Sequence, residues 1–284
     1  MDVFVGADWL ASRLDDPGVR VVDVRDTWEY EGIGHLPGAA SVPFDRFRSA
    51  AENASGMLPA PDDWADLLSA AGVEETDHLV AYDDTHGVFA ARFVVTAYLY
   101  GHPPERLHLL DGDYSAWARE RPTATEAPDV EATAYEAAPL PEAESPLVDY
   151  ETVLATVEAG DALILDTREP AEYAASHLPG AVQLNWRDLV DEETRGLLAR
   201  ERVESVLAER GVTRDRRVVL YCNTARRISH TYLVLRHLGY EDVAFYEGSL
   251  TEWEARGGPV EGETDGESAN EDGTDDESDD ARST

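Results

Sequence analysis

Apolar residues along the chain come in short runs of four to six, separated by longer stretches in which they recur every three or four positions. In the second half the alternation is regular. "YETVLATVEAG", "PAEYAASH", "ARERVESVLAERGV", "RRISHTYLVLRHLG" and "SLTEWEAR" carry the helical period. Between them "ALILD", "AVQLN", "RRVVLY" and "VAFYE" read as strands. Short apolar strands between amphipathic helices predict an α/β fold, a mainly parallel sheet covered by helices on both faces.

The pattern occurs twice. "VVDVRDTWEYEGIGHLPGAASVPF" from Val21 is matched by "LILDTREPAEYAASHLPGAVQLNW" from Leu163, sharing D-x-R, E-Y and H-L-P-G-A. Further on, "LVAYDD" matches "VVLYCN", and "LLDGDYSAW" matches "FYEGSLTEW". Matching segments lie about 140 residues apart, too long for a solenoid unit and right for a duplicated domain. Residues 1–125 and 146–260 are therefore expected to be two domains of the same fold. Residues 126–145, rich in Ala, Pro and Glu without apolar periodicity, read as a linker. Residues 261–284 are acidic, polar and free of aromatics, and are expected to be a disordered tail.

Charge narrows the function classes. The 284 residues carry 59 acidic and 23 basic side chains, a formal net charge of −36, and every basic residue is arginine. Such a field repels nucleic acid and anionic membranes, so neither is expected as a partner. It suits a halophile's protein, kept soluble in strong salt; an acidic protein at ordinary salt is the alternative. The N-terminal "MDVFVGADWL" lacks a basic segment and a long apolar stretch, and no run approaches the ~20 residues needed to span a bilayer. A cytoplasmic location is expected. No Cys/His cluster has metal-ligand spacing, and no G-x-G-x-x-G or P-loop pattern is present, so no metal or cofactor is expected.

The lone cysteine is the candidate chemistry. Cys222 closes the strand "VVLY" and precedes the helix that begins near Arg226 and Arg227. In open α/β sheets ligands bind beyond the carboxyl ends of the strands. Loop N–H groups, the helix N-terminus and two guanidinium groups all favour an anion there, hence a thiolate nucleophile acting on an anionic substrate. A lone cysteine is otherwise most often an inert apolar residue.

Taken together, the tandem halves, D-x-R, H-L-P-G-A and the strand–Cys–loop–helix resemble the rhodanese-like sulfurtransferases over residues 1–260. The resemblance implies an active Cys222 in the second domain and a degenerate first domain, where Asp83 stands at the cysteine's place. It implies that Cys222 takes sulfane sulfur from a small anionic donor such as thiosulfate and passes it to cyanide, a thiol or a carrier protein. The loop Asn223, Thr224, Ala225, Arg226, Arg227 would bind the donor; Ala225 replaces the glycine common in C-x-x-G-x-R. Arg168 is a further substrate-facing candidate, although its repeat as Arg25 in the first half argues for a role in the fold. His35 and His177 read as turn histidines, His230 as too far along its helix to act as a base, and Trp117 and Trp253 as core.

Three other readings are open. Related 3-mercaptopyruvate enzymes tend to have small uncharged residues after the cysteine and a His before M-L-P. Here the loop ends in two arginines and Gly56 precedes "MLP", which favours thiosulfate. A persulfide carrier with little small-molecule turnover would use the same cysteine. A cysteine phosphatase would need arginine six residues after the cysteine, where Ile228 stands.

The charge reading predicts that the thermal midpoint of the full chain rises as KCl is raised from about 0.1 M to about 2 M, because screening relieves self-repulsion. Midpoints independent of salt would reject it.

Overall fold

The structure is a computed structural model that describes residues 3–51 and 56–262. It contains two five-stranded sheets, one per repeat, in which every strand pair is parallel. In the first, β1 (Phe4–Gly6), β5 (Leu107–Asp111), β4 (His78–Tyr82), β2 (Val19–Asp23) and β3 (Ala40–Ser41) lie in that order. The second repeats it with β6 (Leu147–Val148), β10 (Val243–Tyr246), β9 (Val218–Tyr221), β7 (Leu163–Asp166) and β8 (Val182–Gln183). The α/β duplication expected from the pattern is the observed architecture. The expected strand "AVQLN" is present as β8, shortened to two residues, while the two-residue β6 is not marked by any apolar run.

Helices fall where the period places them, with ends set by local chemistry. Helix α6 (Tyr150–Ala159) starts at Asp149, whose carboxylate accepts from Thr152 N at 2.9 Å, and ends at Gly160 with φ 64°. Helices α2 (Thr27–Gly32) and α7 (Pro170–Ala175) each open with a capping box, through Asp26/Glu29 and Glu169/Glu172. Helix α4 (Val88–Leu99) is apolar on nearly every face, which marks it as buried on all sides. It packs against α9 (Arg226–His237), the helix after Cys222. One apolar cluster runs through both repeats here, including Phe93 and Val94 of α4 and Leu233 and Val234 of α9. The stack of Tyr98 on Tyr232 extends it, with centroids 6.4 Å apart.

Two expectations change. The segment proposed as a linker forms no helix or regular strand between Arg121 and Ser145, yet it is strapped to the first domain. Tyr135 is buried, Thr133 N and Tyr135 N donate to Ser69, and Ala138 N and Leu140 N donate to Tyr100 O and Leu99 O. Backbone hydrogen bonds hold it, and these leave no apolar periodicity. The tail boundary also moves. Glu261 exchanges backbone hydrogen bonds with His177, at 2.7 and 2.8 Å, so it belongs to the second domain. The rest of the proposed tail, 263–284, lies outside the described residues. Among the described residues no helix is long and apolar enough to cross a membrane.

The D-x-R motif is a fold element in both halves. Asp23 and Asp166 are wholly buried, and each takes Nε and Nη2 of the arginine two residues on, as well as that arginine's backbone N–H. The same guanidinium reaches Gly34 O or Ser176 O, tying β2 or β7 to the H-L-P-G-A turn. Tyr82 donates to Asp23 at 2.5 Å, and Tyr82 and Tyr221 hydroxyls accept from Leu36 N and Leu178 N. A buried ion pair needs further hydrogen bonds to offset desolvation, and most are supplied here; Arg25 Nη1 has none, and that guanidinium lies 3.7 Å from the ring centroid of Tyr114. His35 and His177 stack on Tyr30 and Tyr173 with centroids 4.0 and 3.9 Å apart, and Trp117 and Trp253 are buried core.

His230 lies inside the α9 packing, against Phe4 and Trp186. Burial, with a smaller effect from His86, lowers its pKa to about 4. An unfolded chain takes up a proton near pH 6.5 and the folded one does not, so stability falls as pH drops from about 6.5 towards 4. Replacing His230 with Leu should remove up to about 3 kcal/mol of that acid sensitivity. Thermal midpoints of both proteins at pH 7.5 and 5 check this; an unchanged pH dependence in the variant would refute it.

Candidate active site

Strands β7 and β9 are neighbours, but the chain runs from β7 outward to β8 and from β9 outward to β10 in the opposite direction. Their carboxyl ends therefore form the topological switch point, where a crevice opens. Cys222 follows β9 directly at this point and is 2 % exposed. Its backbone is held at both polar groups: its N–H donates to Ser249 Oγ at 3.2 Å and its C=O accepts from Leu250 N at 3.0 Å. The loop turns into α9 through Ala225, which adopts φ 62°, ψ −6°. Here an alanine takes the left-handed conformation that glycine adopts without steric cost.

The first domain shows what this loop shape holds. Asp83, at the cysteine's place, is buried, and its carboxylate accepts four backbone N–H groups. Thr85 and Gly87 bind Oδ1 at 2.7 and 2.8 Å, and Phe89 and Ala90 bind Oδ2 at 2.7 and 2.9 Å. Burial pushes the Asp83 carboxyl upward, and the N–H groups of Ala90, Thr85 and Gly87 oppose that rise. His86, matching Ala225, also has positive φ, at 55°. The N–H groups matching those of Thr85, Gly87 and Phe89 belong to Thr224, Arg226 and Ile228, and they have no acceptor among the described residues. Ser229 N, which matches Ala90 N, donates instead to Ala225 O at 3.3 Å, so three of the four N–H groups that hold the carboxylate in the first half are left open in the loop after Cys222.

The two loop arginines diverge. Arg227 Nη1 lies 2.6 Å from Glu172 Oε2, while Glu172 Oε1 accepts Asn223 Nδ2 at 2.8 Å. Burial works against ionising Glu172, but the bonds from Arg227 and Asn223 outweigh it and hold the carboxyl below its ordinary range. Arg226 leans the other way, its guanidinium 4.5 Å from the ring centroid of Phe89 in the first domain. It also lines a cavity of about 400 Å³ with Arg48, Asp83 and Asp84. Burial, then the charge of Arg227, pull its pKa below the ordinary value. Arg168 is spent on Asp166 and Ser176 O, touching the loop only through Nη1 and Asn223 Oδ1 at 3.4 Å. Thr224 meets the first domain at Gly56, where an added Cβ would lie 3.2 Å from Thr224 Cβ.

Asn223, Thr224, Ala225, Arg226 and Arg227 are thus assembled around the cysteine by the loop itself, while Arg168 belongs chiefly to the fold. Sequence reasoning missed Glu172 and Ser249. Glu172 did leave a signal, as the glutamate of the repeated E-Y; Ser249 left none beyond its place in the second half's E-G-S-L.

Two copies of one parallel α/β domain, one bearing a thiol and the other a carboxylate at the same place after the matching strand, define a duplicated α/β protein with a single sulfur-bearing loop. The chain belongs to the Rhodanese-like domain family, whose model matches residues 6–120 and 149–256. It is 34% identical over 254 residues to a thiosulfate sulfurtransferase of Pseudomonas aeruginosa, covering 86% of this chain and 91% of that protein. It is 30% identical over 284 residues to a 3-mercaptopyruvate sulfurtransferase of Escherichia coli, covering 91% and 97%. The crystal structure of SseA from Escherichia coli, described as a 3-mercaptopyruvate sulfotransferase of rhodanese fold, superposes with a TM-score of 0.79 at 27% identity, covering 88% of this chain and 99% of that one.

The cradle makes a prediction about the first domain. Asp83→Ala leaves four buried N–H groups without their acceptor and should destabilise the protein by about 2–4 kcal/mol. Turnover per folded molecule should be largely unchanged, since Asp83 has no assigned chemistry. Denaturant midpoints and steady-state rates measured side by side test both parts; a complete loss of activity in a well-folded variant would contradict the second.

Proposed function

We propose that the protein is a thiosulfate sulfurtransferase that works through a persulfide on Cys222. The observation that carries this is the occupied cradle around Asp83. A loop of the same shape that accepts a carboxylate with four N–H groups is suited to a negatively charged sulfur at Cys222, an oxyanion-hole arrangement applied to sulfur.

In the first half-reaction the Cys222 thiolate attacks the outer sulfur of thiosulfate. A new S–S bond forms, the donor's S–S bond breaks, and sulfite leaves with its electron pair. In the second, cyanide or a thiolate attacks the outer sulfur and Cys222 departs as thiolate. The N–H groups of Thr224, Arg226 and Ile228 and the N-terminus of α9 stabilise the negative sulfur in both steps. The guanidinium groups of Arg226 and Arg227 bind the donor's sulfonate, with Asn223, Thr224 and Ala225 shaping the pocket. Arg168 keeps Asn223 in place.

Thiosulfate as donor is supported by the two arginines and by Gly56. At φ 83°, with an added Cβ 3.2 Å from Thr224 Cβ, position 56 disfavours a side chain that would bind a donor carboxylate. The second reading, 3-mercaptopyruvate as donor, is favoured by the Arg227–Glu172 pair, which places a carboxylate beside the sulfonate site. Accordingly kcat/KM for thiosulfate should exceed that for 3-mercaptopyruvate. Arg227→Ala should cost about 1.5–3 kcal/mol in kcat/KM with thiosulfate, and less with 3-mercaptopyruvate. A wild-type preference for 3-mercaptopyruvate would replace the first reading by the second.

Intact mass after incubation with thiosulfate tests the persulfide itself. One added sulfur atom on Cys222 is expected, absent in the near-isosteric Cys222→Ser, which should fold and lack transfer activity. Transfer by the serine variant would end the proposal. A protein that loads sulfur but does not turn over with cyanide or thiols would be a persulfide carrier instead.

A further inference from the structure

The turn after the last strand of each sheet is gripped by the other half of the chain. These turns are Asp111–Gly112–Asp113, starting at the last residue of β5, and Glu247–Gly248–Ser249 after β10. In each, the third residue holds a strained positive φ, 44° at Asp113 and 49° at Ser249. Each turn in turn holds the neighbouring loop. Tyr114 N donates to Asp83 O at 2.8 Å, and Leu250 N donates to Cys222 O at 3.0 Å. Ser249 Oγ accepts the Cys222 N–H and donates its own O–H to Tyr246 O at 2.9 Å.

What fixes these turns comes across the interface. Arg195, from the second half, sets Nε on both oxygens of Asp113, at 2.8 and 2.9 Å, and Leu197 N donates to Asp111 Oδ1 at 2.7 Å. In the opposite direction Arg92 of α4, 0 % exposed, forks onto Glu247: Nη1 to Oε2 at 2.8 Å and Nη2 to Oε1 at 2.5 Å. A bidentate pair fixes direction as well as distance. It acts two residues before the serine that holds the Cys222 backbone.

We infer that Arg92 and Glu247 are positioning residues for sulfur transfer: through them the first domain, which has no thiol, holds the turn that sets Cys222 in its cradle. Neither touches the donor. Their effect runs from Arg92 to Glu247, along the strained turn to Ser249, and from there to the Cys222 N–H. A displacement of order 1 Å at a reacting atom costs about 100-fold in rate, so a turn free to relax should lower turnover without changing donor affinity. The inference rests on Cys222 being the group that carries sulfur.

The test uses the full chain with Glu247→Gln, Arg92→Lys, Arg92→Met, Ser249→Ala and the double variant Glu247→Gln/Ser249→Ala. Each is assayed for thermal midpoint, for kcat and KM with thiosulfate and cyanide, and for the rate of Cys222 alkylation by iodoacetamide. Glu247→Gln should lower kcat at least 10-fold with KM within about twofold, and should change the alkylation rate at least threefold. Arg92→Lys should retain more activity than Arg92→Met. The double variant should be little worse than the poorer single one, because both act through one turn. A folded Glu247→Gln with wild-type kcat and alkylation overturns the inference, as does strict additivity in the double variant. If Arg92→Met does not fold, Glu247→Gln decides, since its amide keeps the volume and still accepts from Arg92. Alkylation reads Cys222 without any donor, so a wrong donor assignment would appear in the steady-state rates and leave this readout standing.

Discussion

A negative group buried at the mouth of a parallel sheet must be met by hydrogen-bond donors, and in this protein the donors are backbone N–H groups of a loop bent through a left-handed residue. Everything near Cys222 follows from keeping that loop in shape. The carboxylate of Asp83 fills the cradle in the first half and holds the loop from within. In the second half the loop lacks such a plug and is held from outside: by Ser249 and Leu250 on the Cys222 backbone, by Glu172 on Asn223 and Arg227, and by Thr251 on Asn223 O. A site that must receive substrate cannot be filled by its own side chains, and its order has to come from the surroundings.

This accounts for the retention of a domain with no thiol. The two repeats share one apolar cluster, and the helices after the two loops, α4 and α9, pack directly on each other. Polar contacts add direction to that contact. Arg92 reaches Glu247 from one side, and Arg195 reaches Asp84 and Asp113 from the other. Arg226 rests on Phe89, and Gly56 abuts Thr224, so the first domain forms one wall of the loop. Separating the halves would expose the shared apolar cluster and break the Arg92–Glu247 pair.

The electrostatics are more local than a net charge of −36 suggests. Arg168 is matched to Asp166 and Arg227 to Glu172, while Arg226 stands over an aromatic ring. Under the proposed function, a donor's sulfonate would meet guanidinium groups already oriented by partners rather than free cations. Orientation is then fixed before binding, and less of the arginine side-chain freedom is lost on binding.

Much of this was legible in the residues alone. Apolar periodicity and the repeat determined the duplicated α/β fold, because strand and helix periods are local and the pattern occurs twice. The order strand, Cys222, loop, helix marked the candidate site, because a loop at a strand's carboxyl end is where such sheets bind ligands. Asp83 at the matching place marked which half lacks the thiol. Only tertiary structure decided which partner each arginine takes, that residues 126–145 are strapped to the first domain, and that Glu261 pairs with His177. The same holds for the pairing of Arg92 with Glu247, 155 residues apart in the chain. Those choices depend on which side chains from distant segments come within about 3 Å of each other, a distance that neither period nor composition encodes.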